Sequence, residues 1–441
     1  MPATSESVSN AAKRVVITGT GLVSPLGNLP ETLIAALRAG QSGIRPLTRL
    51  PHDALPVNHG AEAIDFSGQI NDYGPLPKPL QRTIRKSSKV MCREIEMGVA
   101  AAQLALHSAG FDAGAFDRDR TGVVYGCDYI MSLPEEYADG IAACTDEGRF
   151  DFGRWGESGL PNVNPLWLLK YLPNMPASHI AIFNDLRGPN NSITVREASA
   201  GAAIAEAYST IQRGHADAIL TGATGSRIHA LRTLHASMQE TLAADRDDAD
   251  TMSRPFDVSR DGSVVGEGAG AMMLESYEHA SGRGATILGE VFGAATSMAG
   301  PAAGEQPFRI AMTNVIQAAR RGNPGVAIGH VNAHGLSDPD VDHQEAMAIQ
   351  DQFGGADESP PVTTIKGHIG NLGAGGGMVE AIVSLNCLGE TLPPIRNFHQ
   401  GDEGVSLNLV ISDDVPAGDD FISLNVTPQG QSSAVWIGRP R

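Results

Sequence analysis

SITVREASAG, Ser192–Gly201, sets the fold class of this 441-residue chain. Ser192-Ile193-Thr194-Val195 is β-prone, and from Ala198 the chain turns to alanine, glycine and serine. Two charges, Arg196 and Glu197, stand at the junction. A helix is expected over 198–213, stopped by Gly214, with AILTG at 218–222 as the next strand. Strands that alternate with helices in this way predict an α/β fold with a mostly parallel sheet.

The second half repeats the pattern. PVTTIK (361–366) reads as a strand, GHIGNLGAGGG (367–377) as a glycine-rich turn and 378–388 as a helix. Two strand–turn–helix units suggest an internal duplication, although two unrelated α/β units satisfy the pattern as well. At the start, Arg14–Gly19 predicts a buried strand leading into a turn, GTGLVSPLG. A nucleotide-binding reading of that turn fails, because the third glycine of the fingerprint is missing and Pro25 interrupts the helix that should follow. Residues 91–110 predict an amphipathic helix with a glycine stop, and 129–165 predict loops and short helices.

Apolar residues make up 41% and charged residues 19%, as in an ordinary globular protein. The net charge of −18 argues against nucleic-acid binding, which needs a basic surface. Cys92, Cys127, Cys144 and Cys387 show no CxxC spacing and are expected to be reduced thiols in a cytoplasmic protein. No apolar run is long enough for a membrane span. Residues 1–13, polar and without an apolar core, are expected to form a frayed tail rather than a signal peptide.

A helix start favours an anion, so Glu197 occupies a seat suited to a nucleophile or an oxyanion. Local chemistry alone favours a plainer use, an acidic cap on the first turn. His330, His334, Asp338, Asp340, Asp342, His343 and Glu345 raise the question of a metal. No HExxH spacing is present, and no metal is expected.

MSRPFDVSRDGSVVGEGAGAMMLESYEHASGRGA (252–285) closely resembles the central signature of the β-ketoacyl-ACP synthases, the KAS II-like condensing enzymes of fatty-acid and polyketide synthesis. RVVITGTGLVSPLGN, DLRGPNNSITV and VNAHG resemble their opening strand, the approach to their nucleophile and their first histidine block. The resemblance implies a thiolase-like fold of two similar halves in α-β-α-β-α layers, with halves at 14–275 and 276–441. It further implies a dimer, acyl carrier protein as partner, and no cofactor beyond the phosphopantetheine that the carrier brings.

In the family the active cysteine follows the glycine of the Gly-Pro pair by nine residues and precedes a second glycine by seventeen. From Gly188 and from Gly214, both counts reach Glu197. The resemblance thus implies a carboxylate in place of the nucleophile. It assigns His334 to the first histidine, Lys366 to the lysine and Asn371, in preference to His368, to the second histidine. Leu336 and Asp338 fall where two threonines hold the pantetheine arm, and Pro428–Ser433 replace the glycine-rich C-terminal loop.

An acyl group on a carboxylate is a mixed anhydride, far shorter-lived in water than a thioester. Two functions follow. One is a non-condensing partner like a chain length factor, paired with an active ketosynthase or with its own copy. The other is altered acyl-thioester chemistry such as malonyl-ACP decarboxylation, using Glu197, His334 and Asn371. An ionised Glu197 about 4 Å from a malonyl carboxylate repels it by roughly 4 kcal/mol at an effective dielectric near 20. That puts the partner role ahead.

One basic stretch interrupts the acidic chain. In PKPLQRTIRKSSKVMCRE, residues Arg82, Arg85, Lys86, Lys89 and Arg93 have helical spacing on one face. Arg82, Arg85, Lys86 and Lys89 are the expected docking site for the acidic carrier protein, with a solvated face or internal ion pairs as the alternative.

Overall fold

The computed structural model describes residues 13–50, 55–111 and 115–441. All but Lys13 of the expected 1–13 tail lies outside them. Ten strands form the main sheet: β1 (Val15–Val23), β2 (Thr121–Cys127), β3 (Asn190–Ile193), β4 (Ala218–Ser226), β5 (Glu267–Ser276), β6 (Gly289–Met298), β7 (His330–Asn332), β8 (Val362–Thr363), β9 (Asp420–Val426) and β10 (Gln431–Gly438). Their order is β8-β7-β9-β10-β6-β1-β5-β4-β2-β3. Read from the outer edge, each half runs third, second, fourth, fifth and first strand. The two halves meet where β1 pairs antiparallel with β6, Val15 opposite Val291.

The sheet is mixed rather than mostly parallel. In each half the second strand pairs parallel with the third and fourth, while the fifth is antiparallel to both the fourth and the first. Connection length explains the difference. Between β9 and β10 the chain turns through Thr427–Gly430 alone, and so short a link joins only antiparallel neighbours.

The helices that matter to the site are α1 (Lys78–Ser87), α2 (Arg93–Ser108), α3 (Ser199–Gln212), α4 (Ala230–Gln239), α5 (Pro307–Ala319), α6 (Pro339–Phe353) and α7 (Gly376–Cys387). α2 covers the outer face of the N-terminal half and α5 that of the C-terminal half, with α6 against α5. α3 and α7 lie between the two sheet halves and touch each other, which completes five layers. Alanines let the two helices approach: Ala200, Ala203 and Ala207 of α3 and Ala381 of α7 share one buried core with the larger Ile204, Met378 and Ile382.

Two expectations change. β1 continues through Gly19 and Gly21, with a break in its register between Ile17 and Gly19, instead of turning there. A Cβ on Gly19 would stand 2.5 Å from the Ala105 carbonyl oxygen, and one on Gly21 2.4 Å from that of Ala101, so the glycines admit α2 against the strand. α2 in turn is buried over most of its circumference rather than amphipathic. Among the described residues, no helix is long and apolar enough to cross a membrane.

Candidate active site

β3 ends at Ile193, and the backbone then bends through Arg196, which takes a left-handed conformation (φ 50°). That conformation is costly for a side-chain-bearing residue and persists where surrounding contacts enforce it. A single 3₁₀ turn, Arg196–Ala198, opens α3. The hydroxyl of Ser199 accepts from the Val195 amide at 3.0 Å, so Ser199 serves the corner structurally. Among the described residues, neither this turn nor α3 has a side-chain cap hydrogen bond. The Glu197 carboxylate is 1% exposed and turned inward.

There it meets Arg227, the residue that follows β4. The fully buried Arg227 guanidinium donates to Glu197 and to Glu240, and Arg196 donates to Glu240 in turn. Arg196 also lies 3.9 Å from the second oxygen of Glu197. Two acids and two arginines thus form a closed ring without net charge. Asn371 Nδ2 adds a hydrogen bond to Glu197 Oε1 at 3.2 Å, while its Oδ1 accepts from the Gly373 amide at 3.0 Å.

Burial by itself would raise the pKa of Glu197, but Arg227 and Arg196 outweigh it and hold the carboxyl well below the usual range. The cations that lower it are the guanidinium groups, since His334 is neutral. Burial first and the nearby Lys366 second lower its pKa to about 3. His334 Nδ1 stands 3.4 Å from Asn425 Oδ1 on β9, and among the described residues its Nε2 has no hydrogen-bond partner, nor has Glu197 Oε2. The position of His334 is set from behind. Its amide and that of Gly335 donate to Glu345 at 2.6 and 2.8 Å, and those of Leu336 and Ser337 donate to Asp342 at 2.7 and 3.0 Å.

The strand expected over 361–366 is shorter, Val362–Thr363, and Lys366 instead begins a short helix, Lys366–Ile369. Its Nζ donates to Glu380 on α7 at 2.5 Å, both groups being buried. His368 turns away toward the carbonyls of Gln41 and Pro394. The structure therefore brings Glu197, Asn371 and His334 into one buried polar cluster, with Lys366 close enough to act on the imidazole.

The other acids and histidines of the 330–345 stretch have partners of their own. His330 bonds the Ala417 carbonyl and stacks on Phe421, His343 meets Asp402, and Asp338 caps α6. Among the described residues, no group of three such side chains is arranged to hold a metal. No described thiol lies in the corner. Cys127 shares its surroundings with Glu94 and Cys92 on the α2 side of the sheet, Cys144 packs by Gly159 and Cys387 ends α7.

Sequence reading missed Arg227, Glu240, Asn425 and Glu380. It also missed a second pair behind the ring, Arg232 with Asp128 at 2.9 Å, the guanidinium lying 3.6 Å over Tyr129.

On the surface, Arg82, Arg85, Lys86 and Lys89 are exposed, and none of them forms an ion pair among the described residues. Arg93 leaves this face. The 3₁₀ turn Ser88–Val90 ends the first helix, and Arg93 opens the next with its guanidinium 2.6 Å from the buried carboxylate of Glu267.

Profiles described as Beta-ketoacyl synthase, N-terminal domain and C-terminal domain match residues 12–280 and 286–399. The chain is 30% identical to 3-oxoacyl-[acyl-carrier-protein] synthase 2 of Coxiella burnetii over 90% of its length and 91% of that protein. A β-ketoacyl synthase from Burkholderia phymatum superposes with a TM-score of 0.83 at 29% identity, covering 97% of this chain and all of that one. The ishigamide ketosynthase/chain length factor superposes at 0.79 with 25% identity over 98% of this chain and all of its own. Fold, signature and relatives agree: this chain belongs to the β-ketoacyl synthase family and is similar to its KAS II-type synthases.

Proposed function

We propose that the chain is a non-condensing member of its family, acting on the pattern of a chain length factor beside a cysteine-bearing ketosynthase or in a dimer of its own. One observation carries this reading: the side chain at the nucleophile position implied by the resemblance is a glutamate, sealed from solvent and tied to Arg227. Such a carboxylate stores no acyl group. Its depressed pKa also makes it a weak general base. The exposed edge strand β3, with Asn190 and Asn191 open to solvent, offers a partner backbone groups to pair with.

Acyl carrier protein is the second partner, docking on Arg82, Arg85, Lys86 and Lys89. The phosphopantetheine it carries would approach through the cleft beside Leu336 and Asp338. The chain supplies no cofactor of its own.

Decarboxylation of malonyl-ACP is the competing reading. The Asn371 amide, beside the buried His334, supplies a hydrogen-bond donor of the kind that stabilises an enolate. The ring around Glu197 carries no net charge, which softens the repulsion expected for a malonyl carboxylate, so the objection becomes one of access. Intact-protein mass spectrometry with acyl-ACP and malonyl-ACP, alongside CO₂ release, separates the two. The partner reading expects no adduct and no CO₂ from the chain alone, with stable co-purification with an active synthase. CO₂ release that His334→Ala abolishes overturns it.

A further inference from the structure

A cleft of about 210 Å³ lies beside the loop that follows His334, walled by Thr241, Leu336, Asp338, Val426 and Thr427, with Glu240 among its lining residues. Glu240 belongs to two places at once. As a residue it is partly exposed and lines the cleft, yet its side chain is only 4% exposed, because the carboxylate turns inward to Arg196 and Arg227. Its backbone is fixed at the end of α4, the amide donating to the Ala236 carbonyl at 2.9 Å. On the far side of the two guanidinium groups sits Glu197.

We infer that Glu240 is the plug that closes this cleft off from Glu197, so that the side chain at position 240 decides whether an extended thioester arm reaches the corner. The inference rests on the reading of the cleft as the arm's approach. Two charge-assisted hydrogen bonds hold the plug in place. Swinging it out would strip both arginines of an acid in a site that water does not reach. Leu336, 6% exposed on the facing wall, offers the displaced carboxylate no partner.

Thiol labelling tests this without any carrier protein, so its failure and a failure of the proposed function are separate results. In Glu197→Cys the new thiol sits beside Arg227 and Arg196, which favour the reactive thiolate, so slow alkylation by a maleimide reports access. Adding Glu240→Ala is expected to speed alkylation at position 197 by about tenfold or more, and adding Glu240→Gln, which keeps the shape, by less than about threefold. Glu240→Ser repeats the test while leaving a hydroxyl for the guanidinium groups. The buried Cys127 and Cys387 are the internal control and are expected to stay slow in every variant. Rapid labelling of Glu197→Cys alone overturns the inference, as does acceleration at Cys127 and Cys387 in step with position 197.

Discussion

In the N-terminal half, the third strand enters its helix through a left-handed arginine, and four charges crowd behind the turn. In the C-terminal half, the equivalent passage from β8 to α7 runs through Gly370 and Gly373 (φ 65° and 58°), and the polar groups are the Asn371 amide and one pair, Lys366 with Glu380. The sheet order is the same in both. At Gly373 a Cβ would stand 2.1 Å from Asp128 Oδ2, so glycine there lets the second corner close onto the first. The duplicated backbone supplies two anion seats, and side chains from other elements decide what each one holds. Opposite pKa shifts record the outcome: Glu197 is held ionised by arginines, whereas burial raises Glu380 despite its lysine.

The largest effect should come from removing the shared cation. Arg227→Met removes the cation that the two buried carboxylates share, leaving Arg196 alone to balance both, and is expected to cost about 3–5 kcal/mol in denaturant unfolding. Adding Glu197→Gln should return about 1 kcal/mol or more. A single-variant cost under about 1 kcal/mol would break the contrast between the corners.

Lys366→Met should cost less, about 1–3 kcal/mol, because Glu380 is already biased toward its neutral form. That cost is expected to grow with pH as the stranded acid is forced to ionise, and a flat profile would place the two corners in one class.

Next in size is a pH effect from the clamp behind His334. Burial pushes Glu345 up to about 8 and Asp342 up to about 6. Between the unfolded carboxylate value near 4 and these folded values, the native state holds protons that the unfolded chain releases, so stability falls as pH rises through that window. Glu197 acts in the opposite sense: with its folded value depressed, its contribution is present above about pH 4 and is lost as pH falls toward the folded value. Glu345→Gln should flatten the decline between about pH 5 and 8, and melting midpoints across that range measure it.

The smallest stability effect belongs to charges in neither corner. Arg85→Glu with Lys86→Glu should leave unfolding within about 0.5 kcal/mol of the parent. The same change should weaken binding of an acidic carrier protein by about tenfold or more in titration calorimetry. Unchanged affinity would remove the docking proposal.

Much of this was legible in the chain. The β3–α3 corner, the stop at Gly214, whose φ is 75°, and the second unit ending in α7 were written in local pattern and turn chemistry. The resemblance, through the family's lysine-to-histidine count, favoured Asn371, which lies against Glu197, over His368, which does not. The glycines of β1 were read as a turn because nothing in the sequence announces that α2 presses on that strand. The partners of Glu197 were missed for a related reason: Arg227 and Glu240 lie 30 and 43 residues away and share no motif with it.

By itself, the sequence determined the alternation of strands and helices, the repeated strand–turn–helix unit and the presence of an acid at a helix start. Those features depend on side-chain periodicity and backbone preference, which act over a few residues. Only the tertiary structure decided that the acid is ionised, paired and shut away. Burial and Coulomb interaction act through space, and the groups that govern Glu197 arrive from β4, from the end of α4 and from the other half of the molecule.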